Sequence, residues 1–240
     1  MIPAILILCL CLMPVQIQAK SVTSGTDGNG NKWTYNTSAK TLTFTGNKAI
    51  SDFTLNGHDR EPSWYRWSNK TEHIVIEEGI TGIGSEAFSS FTETKSITMG
   101  ESVKRINRMA FWANVSLREI KLSSNITVIQ GDALSGGREL ETIKLPMRLR
   151  KMCSLSGQEK LEKIVMPDSI TNMQSAMFSE CKKLKYIKLP AKIRKIKSYD
   201  FAGCKKLKKL TIPKSVKTVS MSAFAGSGLK KIVLPENVTT

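Results

Sequence analysis

The sequence predicts a solenoid, a right-handed stack of about seven and a half turns of 21–23 residues, α/β to mostly β, with a parallel sheet on one face and an N-terminal β-hairpin cap. Two observations carry this. Ile74, Ile97, Ile120, Ile143, Ile164, Ile187, Leu210 and Ile232 recur at gaps of 23, 23, 23, 21, 23, 23 and 22 residues. A fixed period of this size marks units that bury their apolar sides only by stacking on one another. Within the unit the apolar spacing is also constant. In Leu184–Lys206 it places Leu184, Ile187, Leu189, Ile193, Ile196 and Phe201 at positions 1, 4, 6, 10, 13 and 18.

Each part of the unit follows from that spacing. Positions 4 and 6 are apolar while 3 and 5 are mostly polar, the period of two of a half-buried strand. Pro146, Pro167, Pro190, Pro213 and Pro235 close the strand, since proline cannot donate to a ladder. Positions 10 and 13 return to the interior along an extended arc. Phe88, Phe111, Phe178, Phe201 and Phe224 share position 18, with Leu134 in their place in the third copy. A short helical turn is expected around the Ala-Phe pair. The fourth copy has lost two residues and reads Leu155 and Gly157 where the others read Ala-Phe, which predicts a change of curvature or a flattened back there.

The unit closely resembles the leucine-rich repeat of the BspA-like family, whose copies read roughly LxxIxLPxxIxxIxxxAFxxC. The resemblance covers most of the chain, and two copies keep the terminal cysteine, Cys181 and Cys204. It implies a leucine-rich-repeat solenoid in a secreted or surface-exposed microbial protein that binds proteins or cell surfaces and is not an enzyme.

Three segments are expected: a signal peptide over 1–19, an N-terminal linker and β cap over 20–70, and the repeats over 71–240. Residues 1–19 are apolar and end Ile17-Gln18-Ala19, as before a secretory cleavage site, although no Lys or Arg precedes the apolar core. A signal anchor is the competing reading. Ser21–Asn31, rich in Gly, Ser, Thr and Asn, reads as a flexible lead-in. Lys32–Tyr35 and Thr41–Thr45 alternate as the strands of a hairpin. With Trp64 and Trp67 this hairpin would cover the apolar end that a solenoid exposes; the same aromatics would also suit sugar stacking. At the other end, the turn that follows Leu229 has no polar capping segment, so an edge there invites pairing with another chain.

Net charge is +16 and uneven: residues 1–116 carry 11 Lys and Arg against 10 Asp and Glu, and residues 117–240 carry 25 against 10. Lys163, Lys185, Tyr186, Lys188, Lys208, Lys209, Lys230 and Lys231 fall at outward positions 2, 3 and 5 of the later strands. These eight residues are the expected ligand-binding set. Columns of like charge suit a polyanion, so the expected partner is an extracellular protein or an anionic glycan. Nucleic acid is not expected, nor is a membrane span once the signal peptide is removed.

Catalysis and metal binding find little support. The histidines are His58 and His73, outside any HExxH pattern, and neither a GxSxG elbow nor a P-loop occurs. Asp27–Asn31 begins like a calcium loop, but Lys32 and Ser38 stand where the loop needs Gly and Glu. No catalytic residue, metal ligand or cofactor is assigned. Cys153, Cys181 and Cys204 remain after signal removal; the latter two share one repeat position, as a buried column or a disulfide. Asn114 and Asn125, two of five Asn-x-Ser/Thr sites, are expected on turns with room for a glycan. The function expected is non-catalytic adhesion or binding at the cell surface, with self-association through the C-terminal turn as the rival.

Overall fold

The computed structural model describes residues 22–53 and 62–239. The expected signal peptide and His58 lie outside them. Strands β1 (Val22–Thr26), β2 (Lys32–Asn36) and β3 (Thr41–Thr45) form an antiparallel meander, with Trp33 opposite Phe44. The described part of the expected flexible lead-in is therefore ordered strand and turn. The Asp27 carboxylate accepts from the backbone N–H groups of Asn29, Asn31 and Ser51 at 2.9, 2.8 and 3.2 Å, which makes it a turn-former and leaves it little coordinating capacity.

From β3 the pairing turns parallel. β4 (His73–Ile76) lies beside β3, with Leu42 opposite Ile74, and the front sheet continues through one strand per turn. In chain order the strands are β5 (Gly82–Ile83), β6 (Ser96–Met99), β7 (Arg105–Ile106), β8 (Glu119–Lys121), β9 (Val128–Ile129) and β10 (Thr142–Ile143). They continue as β11 (Lys163–Val165), β12 (Tyr186–Lys188), β13 (Lys195–Ile196) and β14 (Thr218–Val219). The front sheet runs β1-β2-β3-β4-β6-β8-β10-β11-β12, while β5-β7-β9 and β13-β14 form two separate panels of a second face. Between strand and arc, a tight turn has position 10 donating back to position 7, as from Leu149 to Pro146 and from Ile170 to Pro167 at 3.1 Å.

The third side was expected to be helical and is not. Position 16 is left-handed in every regular turn, with φ of 57° at Glu86, 54° at Met109, 59° at Asp132, 54° at Ala176, 62° at Tyr199 and 58° at Ser222. Position 20 is left-handed as well, from Ser90 through Gly136 and Gly203 to Gly226. Single left-handed residues at this spacing cannot propagate a right-handed helix. They turn the backbone so that the N–H groups of positions 16, 18 and 20 donate to the next turn: Glu86 to Arg108, Phe88 to Ala110 and Ser90 to Trp112, at 3.0, 2.8 and 2.7 Å. The one helical element among the described residues is a 3-10 turn over Tyr65–Trp67.

The core is a stack of similar layers, one per turn. Phe88 stacks on Phe111 at 5.4 Å, and Phe178 on Phe201 at 5.8 Å, with Phe224 continuing at 5.7 Å. In the fourth copy the Leu155 N–H donates to the Met177 carbonyl as Phe178 donates to Asp200, and Gly157 takes the left-handed place of position 20 at φ 81°. Leu155 thus replaces the phenylalanine itself, one step off the alignment expected from the sequence. At the N-terminal end Trp64 is buried edge-on against Phe44 and Phe53, and its indole N–H donates to the Ala87 carbonyl at 2.9 Å. Trp67 stacks on Tyr35 at 4.3 Å. This is the geometry of a cap over the open end of the stack.

The fourth turn also marks a discontinuity. β10 meets β11 through one register pair, Thr142 with Lys163, where the other parallel front pairs have two to four. On the second face position 11 normally donates to position 11 of the turn before: Lys104 to Thr81, Thr127 to Lys104, Arg150 to Thr127, Lys217 to Arg194. Among the described residues neither rung through Thr171 is formed, and the 3-stranded and 2-stranded panels end on either side of it. The break follows directly on the shortened arc.

Candidate binding faces

The front sheet brings together half of the predicted set. Lys163 on β11 faces Tyr186 on β12, and its ammonium lies 5.3 Å from the ring centroid, a cation–π contact. Lys188 sits one strand over from Val165. Tyr186 is 50% exposed, Val165 44% and Met147 75%, which makes an exposed apolar seam of residues on β12, on β11 and on the turn after β10. A groove of about 410 Å³ along it is lined by Leu145, Met147, Ile164 and Val165 with Lys144 and Lys163 at its rim.

The lysines on this face are largely answered by acids one turn earlier. Lys185 meets Glu162 at 2.9 Å, Lys182 meets Glu159 at 2.8 Å, and Lys188 meets Asp168 at 3.6 Å. Hydrogen bonding and charge from Lys185 hold the Glu162 carboxyl below its usual range, and Lys182 does the same for Glu159. Asp168 is lowered first by the Ala191 N–H and then by Lys188. Exposed, solvent-screened pairs of this kind add little to stability. Their larger effect is to reduce the field over the front sheet.

Lys208, Lys209, Lys230 and Lys231 were expected on outward strand positions, and the structure places them beyond the last front strand, β12. Leu210 and Ile232 keep the period but are only half-buried, and no rung ties Lys208 to Lys185. Lys185, Lys208 and Lys230 share position 2 and Lys209 and Lys231 share position 3. Like charges at a strand spacing repel by about 1 kcal/mol per pair, which opposes closing those rungs.

The BspA type leucine-rich repeat family matches this chain over residues 61–156 and 151–240, in six copies. The chain belongs to that family. In the solved structures, the BspA-type stack is similar to a leucine-rich repeat protein from Bacteroides ovatus, with a TM-score of 0.69 at 24% identity. That match covers 87% of this chain and 58% of the other, so the chain spans little more than half of its relative's length. A T. pallidum leucine rich repeat protein matches with a TM-score of 0.58 at 19% identity, over 84% of this chain and 83% of the other. At these identities both show the fold alone. No curated protein matches the chain.

The family's terminal cysteine has a structural place. Cys181 and Cys204 are free and buried, and their thiols donate to the carbonyls of Leu155 and Phe178 in the preceding turn, at 3.2 and 3.1 Å. Gln158 holds the same place one turn earlier and donates to the Leu134 carbonyl at 2.9 Å. Burial pushes the Cys204 thiol up to about 12, so it is protonated and unreactive at neutral pH. Asn114 occupies this column too. It is buried, and its side-chain oxygen accepts from the Phe91 N–H at 2.9 Å, so the expected room for a glycan is absent in the folded BspA-type turn. Asn125 is half-buried and donates to the Glu101 carbonyl.

His73 is half-buried, with Nδ1 2.8 Å from the Ser96 hydroxyl. Among the described residues there is no group of three or more His, Cys, Asp or Glu that could hold a metal ion. Nor is any described helix long and apolar enough to cross a membrane.

Proposed function

We propose that this BspA-type repeat protein is a non-catalytic, secreted or surface-attached binding protein whose front sheet contacts an extracellular protein. The apolar seam of Met147, Val165 and Tyr186 supports this reading most directly, because exposed apolar area rimmed by charge is the make-up of a protein contact. Lys163, Lys185 and Lys188 form its rim, and Lys208, Lys209, Lys230 and Lys231 extend a basic margin toward the last turns. Secretion rests on the apolar 1–19 segment and on the family. Binding of the protein to an array of extracellular proteins, at low and high salt, tests the reading. Binding that survives high salt and falls at least tenfold in Tyr186→Ala is expected, as for a buried aromatic anchor. Loss of binding in salt with no effect of Tyr186→Ala would count against it.

The rival reading, self-association through the last turns, has in its favour Val233 and Leu234, which are 72% and 45% exposed. Size that grows with concentration in sedimentation, and that Val233→Ser abolishes, would move the conclusion to it.

A further inference from the structure

The second face carries a site that the front-sheet reading does not use. Positions 9 to 14 of the fourth to seventh turns, residues 148–153, 169–174, 192–197 and 215–220, hold eight Lys and Arg and no Asp or Glu. Where the second ladder breaks, a groove of about 810 Å³ opens, lined by Lys192, Arg194, Lys195 and Lys197 on one side and by Thr171 and Asn172 on the other. Lys192, Arg194 and Lys195 are exposed, and none of the four basic residues is in an ion pair among the described residues. This sets them apart from Lys182, Lys185 and Lys188 on the front.

The break supplies more than room. In an intact ladder the N–H of position 11 points at the turn before and is consumed by it; the Arg194 N–H has no such partner among the described residues. Two carboxylates bear on the rim, and both are engaged elsewhere. Asp168 accepts from the Ala191 N–H and pairs with Lys188, while Asp200 is buried and accepts from the N–H groups of Lys197 and Met177 at 2.7 and 3.2 Å. The groove therefore presents four cations, a free amide donor and the exposed side chains of Thr171 and Asn172.

We propose that this groove binds a sulfated polysaccharide. The cations, at successive positions along one turn, match anionic groups set along a linear chain, and release of counterions drives the association. Thr171 and Asn172 are suited to sugar hydroxyls. No aromatic ring lines the groove, so the stacking platform that single-stranded nucleic acid uses is missing.

The test measures heparin affinity of the protein across a salt series for two variants that lose the same charge. One is Lys192→Ser, Arg194→Ser, Lys195→Ser; the other is Lys208→Ser, Lys209→Ser, Lys230→Ser. The groove variant is expected to bind at least tenfold more weakly, with the log–log salt slope lower by about 2–3, while the margin variant changes less than threefold. Melting temperatures should match the parent, since all six side chains are exposed. Equal losses in both variants would mean that general charge attracts heparin and would overturn the proposal. A larger loss in the margin variant would place the glycan at the front edge. Tighter binding to a single-stranded DNA than to heparin, or equal binding of desulfated heparin, would also overturn it. None of these outcomes depends on Tyr186, so this site and the front-sheet reading stand or fall separately.

Discussion

Asp200 departs from its repeat. Position 17 is Ala in most turns, and here a carboxyl is fully buried beside Phe201. Burial pushes its pKa up to about 6, against the lowering effect of the Lys197 and Met177 amides. An acid whose pKa is raised by folding is favoured in its neutral form. Its contribution to stability is therefore complete below about pH 4 and is lost as pH rises through about 6. The difference in unfolding free energy between the parent and Asp200→Asn should fall by up to about 3 kcal/mol between pH 4 and pH 7. Urea unfolding across that range reads it. The comparison is needed because Glu162 and Glu159, with lowered pKa values, act in the opposite sense and lose their contribution as pH falls.

Among the elements, the aromatic column separates what the sequence displays from what it conceals. Phe201 lies between Phe178 and Phe224, with both neighbours nearly parallel to it. Replacing it by Ala should cost about 3–5 kcal/mol, read as a shift in the urea midpoint. That column and the front strands were legible because large apolar residues repeat there at one period, and the tryptophan cap because its aromatics cluster just before the first repeat. The left-handed backbone of positions 16 and 20 was not, because Glu, Met, Asp, Ala, Tyr and Ser all occupy position 16 and share a conformation without sharing chemistry. The ion pairs of the front face were hidden for a different reason. Glu162 and Lys185, and Glu159 and Lys182, are 23 residues apart and meet only because the turns stack. Reading acids and bases down each repeat position, and not along the chain, is the signal that would have found them. The same reading would have shown that the acid-free columns lie at positions 9 to 14.

For the whole stack, the shortened fourth turn divides a nearly regular ladder. Amides of Thr171 and Asn172 have no partner on either neighbouring turn among the described residues, while those of Thr127 and Lys217 are held by rungs of 3.0 and 2.8 Å. Hydrogen exchange should be roughly 100-fold faster at the first pair than at the second. Comparable protection at all four sites would show that the break closes in solution. In repeat proteins stability is nearly a sum of local and nearest-neighbour contributions, so a weak junction is not compensated from a distance.

That junction bears on how such a chain would carry force. A protein held at one end and loaded at the other along its stacking axis transmits tension through the bonds between turns. Around the fifth turn the second face contributes no rung at position 11, and the front contributes a single register pair between β10 and β11. The third side still links the turns there, through Leu155 to Met177 and Gly157 to Ser179. Tension between the fourth and fifth turns would fall mainly on that third side and on the Ser169 hydroxyl, 2.9 and 2.7 Å from the Met147 and Leu149 carbonyls, so the stack would bend there before it bends elsewhere.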